Sequence, residues 1–266
     1  MTYFGVLAVF LIPPLALLVG LALVRGDMRR EEILAVFAHV LLAVIYTSPW
    51  DNYLVATGVW WYDPNLVSGL TIGWVPIEEY TFFILQTLLT GFWLLRMAKA
   101  MPDRNVAGPK AATSVRLVLS FSIGTVWLVA TSFWLTGLET LTYLTLILSW
   151  ALIPVLIQVA VGGDVLFTNW RRLAVGLLPP TLYLWLADAI AIRSGTWTIS
   201  PQQTTGIMLA NLPMEEMVFF FMTNLLIVNG MILIFSPVVR ERVKAGWSHL
   251  LLRLADLPLA SILPRN

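Results

Sequence analysis

Two glutamates stand side by side after a proline at Pro76-Ile77-Glu78-Glu79 and again at Pro213-Met214-Glu215-Glu216, each pair heading an apolar run. Two phenylalanines follow each pair, Phe82-Phe83 and Phe219-Phe220, and an aspartate and a tryptophan precede it, Asp51 with Trp60 and Asp188 with Trp197. Proline followed closely by glutamate is by itself an ordinary helix start. Its return in a matched context, at the edge of segments long enough to cross a membrane, favours chemistry, because ionisable groups at membrane depth are costly. Six carboxylates with Arg193 as their only basic neighbour cannot all be neutralised by ion pairs, so some are expected to stay protonated at neutral pH. Carboxylic acids that give a proton, carboxylates that take one, and aromatic faces that stabilise a cation without attacking it are what proton-initiated carbocation chemistry on an alkene requires. Substituting Glu78 or Glu215 by Gln is expected to abolish that chemistry. Adjacent glutamates point about 100° apart on a helix, so one of each pair faces the bundle and the other the loop. The sequence leaves open which.

These residues have to be held by membrane helices. Of 266 residues, 59% are hydrophobic and 12% charged, too apolar a balance for a soluble domain. A net charge of +1 offers no footprint for nucleic acid. With no cysteine, disulfides, thiolate nucleophiles and cysteine-based metal sites are excluded. Seven stretches reach the length of about 20 apolar residues that a bilayer requires, near 3–24, 31–50, 76–96, 116–136, 139–161, 172–192 and 212–235. Met1-Thr2-Tyr3-Phe4 lacks the basic start of a cleavable signal, so the first stretch reads as a retained span. Arg25, Arg29, Arg30, Arg96, Lys99, Arg171, Arg172, Arg240 and Arg242 all fall in alternate loops, which places the N-terminus outside and the C-terminus in the cytoplasm of a multi-pass protein of the cell membrane.

Shifted by 137 residues against itself, the chain aligns 46–89 with 183–226 without a gap, and the identities include Tyr46/Tyr183, Asp51/Asp188, Trp60/Trp197, Pro76/Pro213 and Glu79/Glu216. Shared apolar composition does not produce matches in Asp, Glu, Trp and Pro. The expected fold is therefore an all-α integral membrane protein with seven transmembrane helices, two parallel three-helix repeats (1–97 and 137–236) joined by a linker and a central fourth helix (98–136) in a 3+1+3 order. In the tail, 237–266, Trp247, Leu250, Leu251 and Leu254 recur at helical spacing, as in a helix lying on the cytoplasmic membrane surface. Trp61, Tyr62 and Trp74 read as an interfacial aromatic belt, while the repeated Trp60, Trp197, Phe82, Phe83, Phe219 and Phe220 read as walls of a site. His39 has no counterpart in the repeat, where Gly176 stands, and reads as a packed core histidine.

No glycine-rich dinucleotide fingerprint, P-loop or histidine pair with metal-ligand spacing is present, so no cofactor or metal is expected. Two three-span units, each opening its last helix with Pro-x-Glu-Glu, resemble the membrane-embedded lycopene cyclases of the heterodimeric bacterial type and their fused archaeal, bacterial and fungal forms. The resemblance implies a cofactor-free isomerase, an intramolecular lyase of carotenoid biosynthesis, that cyclises the ψ-ends of lycopene or a related acyclic carotenoid within membrane lipid. It carries the family's glutamates onto Glu78, Glu79, Glu215 and Glu216. The alternative is a small-solute transporter of 3+1+3 topology, although the carboxylates sit near helix ends rather than at the midplane. A retinal protein is excluded, because residues 212–235 contain no lysine for a Schiff base. Oligomeric state is not legible.

Overall fold

The structure, a computed structural model, describes residues 1–101 and 109–255. Among the described residues, seven helices are long and apolar enough to cross a membrane: α1 (Tyr3–Arg25), α2 (Arg30–Ala56), α3 (Ile77–Ala98), α4 (Pro109–Leu135), α5 (Thr142–Thr168), α6 (Trp170–Arg193) and α7 (Met214–Phe235). An eighth helix, α8 (Pro237–Ala255), follows α7, and the side chains of Trp247, Leu250, Leu251 and Leu254 expected to form its apolar stripe lie outside those described. Helix α2 runs past the expected end at residue 50, so Asp51 sits inside it rather than at its mouth.

In a bilayer every backbone carbonyl must find a partner, and a proline inside a helix strands the carbonyl four residues earlier. Here three of those carbonyls join neighbouring helices. Pro14 frees the carbonyl of Phe10, which accepts the Tyr183 hydroxyl of α6 at 2.7 Å. Pro154 frees that of Trp150, which accepts the Tyr46 hydroxyl of α2 at 2.9 Å. Pro179 frees that of Val175, which accepts Trp93 Nε1 of α3 at 2.8 Å. Ahead of Pro13 and Pro14, α1 loosens into π-helical turns over Leu7–Leu11.

Helices α3 and α7 pack along a common seam. Two turns below their acidic starts, Gln86 Nε2 donates to Thr223 Oγ1 (2.8 Å), Thr90 Oγ1 donates to Asn224 Oδ1 (2.7 Å), and Asn224 Nδ2 donates to Thr181 Oγ1 of α6 (3.0 Å). All but Thr223 are buried, and a buried network of this kind fixes the register of the two helices. His39 is a half-buried residue of α2, its Nδ1 against the Ala35 carbonyl at 2.8 Å and its Nε2 against Gly230 of α7, where a Cβ would come within 2.2 Å. Helix α4 packs chiefly on α5 and leaves Leu117, Val118, Phe121 and Leu128 exposed.

At the end of the bundle that carries Met1, the loops contain six short strands, which corrects the purely helical expectation. Runs of two or three residues carry no readable periodicity, and their pairing is decided by distant partners. β2 (Thr71–Ile72) pairs with β3 (Val75–Pro76), and β5 (Met208–Leu209) with β6 (Leu212–Pro213), so each hairpin ends on the proline that opens α3 or α7. β1 (Trp60–Tyr62) pairs antiparallel with β4 (Trp197–Ile199), setting Trp60 opposite Ile199 and Tyr62 opposite Trp197. At the opposite end, Asp164 takes a bidentate bond from Arg242 of α8 (2.6 Å to each oxygen), and Lys99 joins Asp27 and Glu32. Among the described residues, every ion pair lies away from the acidic cluster.

Candidate active site

The proline that ends each hairpin sets the first turn of α3 and of α7, and with it the direction of each glutamate pair. Glu78 turns back to its own loop, where its Oε1 accepts the Ser68 amide at 2.5 Å, and Glu215 does the same with the Thr205 amide at 2.7 Å. Glu79 and Glu216 turn the other way, into a cavity of about 30 Å³. The lining comes from both halves of the chain: Tyr3, Trp60, Tyr62, Glu79 and Phe82 from the first, and Tyr143, Asp188, Trp197, Ile199, Glu216, Phe219 and Phe220 from the second. Glu78 and Glu215, whose substitution is expected above to abolish the chemistry, bond to loop amides and do not line the cavity. A Glu78→Gln or Glu215→Gln variant keeps an acceptor oxygen for the loop amide. It is therefore expected to retain activity within about tenfold, whereas Ala at either position loses a hydrogen bond of about 0.5–1.5 kcal/mol. Relative turnover at matched membrane expression checks this.

Tyrosines hold the two inward glutamates. Glu79 Oε2 accepts the Tyr3 hydroxyl at 2.5 Å and the Tyr62 hydroxyl at 3.0 Å, and Tyr62 in turn accepts Trp60 Nε1 at 3.1 Å. Glu216 Oε1 accepts the Tyr143 hydroxyl at 2.6 Å. Burial, reinforced by the neighbouring Glu79, holds the Tyr62 phenol well above its ordinary range, so Tyr62 remains a neutral donor. Asp188 Oδ1 accepts Trp197 Nε1 at 2.9 Å, while its Oδ2 has no hydrogen-bond partner, and its carboxyl lies in electrostatic range of Glu216. Asp51 is buried beside the cavity rather than in its wall, with neither oxygen hydrogen-bonded, in electrostatic range of Glu79 and Glu216. No basic side chain lines the cavity.

The walls are aromatic. Tyr3 lies 4.8 Å from Trp197 and Trp60 lies 5.2 Å from Tyr143, centroid to centroid. Behind them Trp50 stacks on Trp150 at 4.5 Å and on Phe219 at 5.7 Å. Of the expected wall residues, Trp60, Trp197, Phe82, Phe219 and Phe220 line the cavity, while Phe83 is buried behind it against Phe82 and Tyr80. Trp61 and Trp74 are exposed, as for an interfacial belt, but Tyr62 belongs to the site. Tyr3 and Tyr143 escaped the sequence reading although they are equivalent, since they repeat at an offset of 140 residues, as Pro14 and Pro154 do, rather than 137.

Acids, bases and ring faces in a cavity without a countercharge can carry a proton through a cationic intermediate. A volume of about 30 Å³ is one water's share, and a cavity needs roughly 150 Å³ to take a benzene. A hydrocarbon end therefore enters only as these side chains move apart.

Comparison with known proteins matches a family model described as lycopene cyclase over residues 1–97 and 140–235, two stretches that leave out α4. The chain is similar to the lycopene beta-cyclase of Halobacterium salinarum, 41% identical over 241 residues that cover 91% of this chain and 99% of that protein. It is also similar to the bifunctional lycopene cyclase/phytoene synthase of Phaeosphaeria nodorum, 36% identical over 83% of this chain and 39% of that protein. The corresponding bifunctional protein of Phycomyces blakesleeanus is 32% identical over 92% of this chain and 40% of its own length. No solved structure matches.

Proposed function

Because the chain belongs to the lycopene cyclase family, we propose that it is a lycopene β-cyclase of carotenoid biosynthesis, an isomerase of the intramolecular-lyase kind that works in the membrane on lycopene or a closely related acyclic carotenoid. The observation that carries this reading is the pairing of Glu79 and Glu216 across one aromatic, cation-free cavity. A carboxylic acid of the cluster protonates the terminal double bond of a ψ-end and gives a tertiary cation. The neighbouring double bond closes the ring, and a carboxylate removes a ring proton to set the new double bond. Electrons and protons balance within the substrate and the cluster, so the reaction calls for no nicotinamide, flavin or metal. Trp60, Trp197, Phe82, Phe219 and Phe220 face the intermediate, Phe83 backs them, and Asp51 and Asp188 supply further proton sites.

The same reading extends to the architecture. Two parallel repeats, 1–97 and 137–236, joined by α4 in a 3+1+3 order, account for the matched hairpins and for the β1 to β4 register, which exchanges equivalent positions across Trp61 and Thr198. They also account for the reciprocal Tyr46 and Tyr183 bonds. Basic residues gathered at the end away from the site favour an N-terminus outside and a C-terminus in the cytoplasm. The transporter alternative gains no support from the relatives or from the site. Expression in a host that accumulates lycopene is expected to replace part of the lycopene by cyclic carotenoid, read by chromatography, and purified protein in lipid is expected to do so without added flavin or nicotinamide. Unchanged pigment at confirmed membrane expression would overturn the assignment.

A further inference from the structure

The two halves of the cavity are not equivalent, although the repeat that builds them is. Ile199 stands where the first half has Tyr62. Trp60 spends its N–H on Tyr62, whereas Trp197 gives its N–H to Asp188. As a result, Glu79 receives two hydroxyl donors on one oxygen, Tyr3 at 2.5 Å and Tyr62 at 3.0 Å. Because Tyr62 accepts from Trp60, its single proton is committed to Glu79. Two such bonds to one oxygen favour the ionised form of a carboxyl group. Glu216 receives one hydroxyl, Tyr143 at 2.6 Å, and otherwise faces the carboxyl of Asp188, whose Oδ2 has no donor. Two neighbouring carboxyl groups with no cation beside them are most stable when they share one proton.

We infer that the reaction runs in one direction across the cavity: Glu216, sharing its proton with Asp188, is the general acid, and Glu79, held by Tyr3 and Tyr62, is the general base. The inference rests on the cyclase reading. The Glu216 proton goes to the CH carbon of the terminal double bond, whose π electrons form the new C–H bond and leave a tertiary cation. The next double bond attacks it, forming the ring C–C bond and moving the positive charge onto the ring. Glu79 takes a proton from the adjacent ring carbon, and that C–H pair becomes the ring double bond. Glu79 ends protonated and Glu216 ionised, so one proton returns through the carboxyl cluster, beside which Asp51 lies, before the next turnover. Tyr3 and Tyr62 are positioning residues, which hold the base and its charge.

The test is turnover of lycopene by the full chain in lipid prepared in deuterium oxide, with mass spectrometry of every recovered carotenoid. The unmodified protein should place one deuterium in each ring formed. Glu216→Gln should yield no deuterium above the protein-free control. Glu79→Gln should still take up deuterium but lose β-rings, returning deuterated acyclic lycopene, rings with a displaced double bond, or rings hydroxylated by water. Tyr62→Phe, a milder change, should keep deuterium uptake while raising the share of those aberrant products severalfold, and it carries the test where Glu79→Gln does not accumulate in the membrane. The opposite pattern between the two glutamates, an absence of deuterium from Glu79→Gln, or an unchanged product ratio in Tyr62→Phe would overturn the assignment. Failure of the unmodified chain to make any cyclic carotenoid would instead overturn the cyclase reading itself.

Discussion

Replacing Glu79 or Glu216 by Gln is expected to lower the formation of cyclic carotenoid by on the order of 10² to 10⁴, the usual contribution of a general acid or base. That is roughly 3 to 5 kcal/mol of activation barrier. Glutamine is nearly the same size and keeps an acceptor for Tyr3, Tyr62 or Tyr143, so the change removes proton transfer while leaving the hydroxyl bonds a partner. Both glutamates stand in a cavity without a countercharge, and losing one carboxyl there leaves no buried cation unpaired. Elution of the solubilised protein should accordingly match the unmodified chain, and the loss should appear in turnover alone. Because the two act in one sequence, the double variant is expected to be little worse than the weaker single variant. Near-normal conversion by both single variants at equal expression would take Glu79 and Glu216 out of the reaction.

Interrupting the chain between Met101 and Ala112 is expected to abolish cyclisation by either piece alone, and co-expression of the two pieces is expected to restore it. The cavity wall is drawn from both pieces, and the short ladder between Trp60–Tyr62 and Trp197–Ile199 closes over it only when both are present. The pieces also have reasons to find each other in the membrane. Buried side-chain bonds join Gln86 to Thr223 and Thr90 to Asn224 across the α3 and α7 seam, and Tyr46 and Tyr183 each bind a carbonyl of the other piece. Helix association in lipid depends on such packing and polar contacts rather than on apolar burial. A monocyclic product from one piece by itself would mean that each repeat holds an independent site.

Much of this was legible in the residues. Apolar length alone sets seven spans, because the bilayer imposes its thickness on a helix. The offset of 137 exposes the paired acidic motifs, because a helix start with carboxylates in a membrane is too costly to recur by chance. Those two facts determined the class of fold and the kind of chemistry. The tertiary structure alone decided which glutamate of each pair faces the cavity. Glu78 and Glu79 differ by 100° of helix rotation, and the direction of that rotation is set by where β3 delivers Pro76, a matter of pairing with β2 that two-residue strands do not announce. It also decided that Tyr62, indistinguishable in sequence from its belt neighbour Trp61, points inward, since only the register against β4 assigns faces to those positions. Tyr3 and Tyr143 were hidden by a three-residue change of offset between the first helix of each half and the rest. They are brought onto Glu79 and Glu216 by contacts 76 and 73 residues away in the chain, which only packing can make.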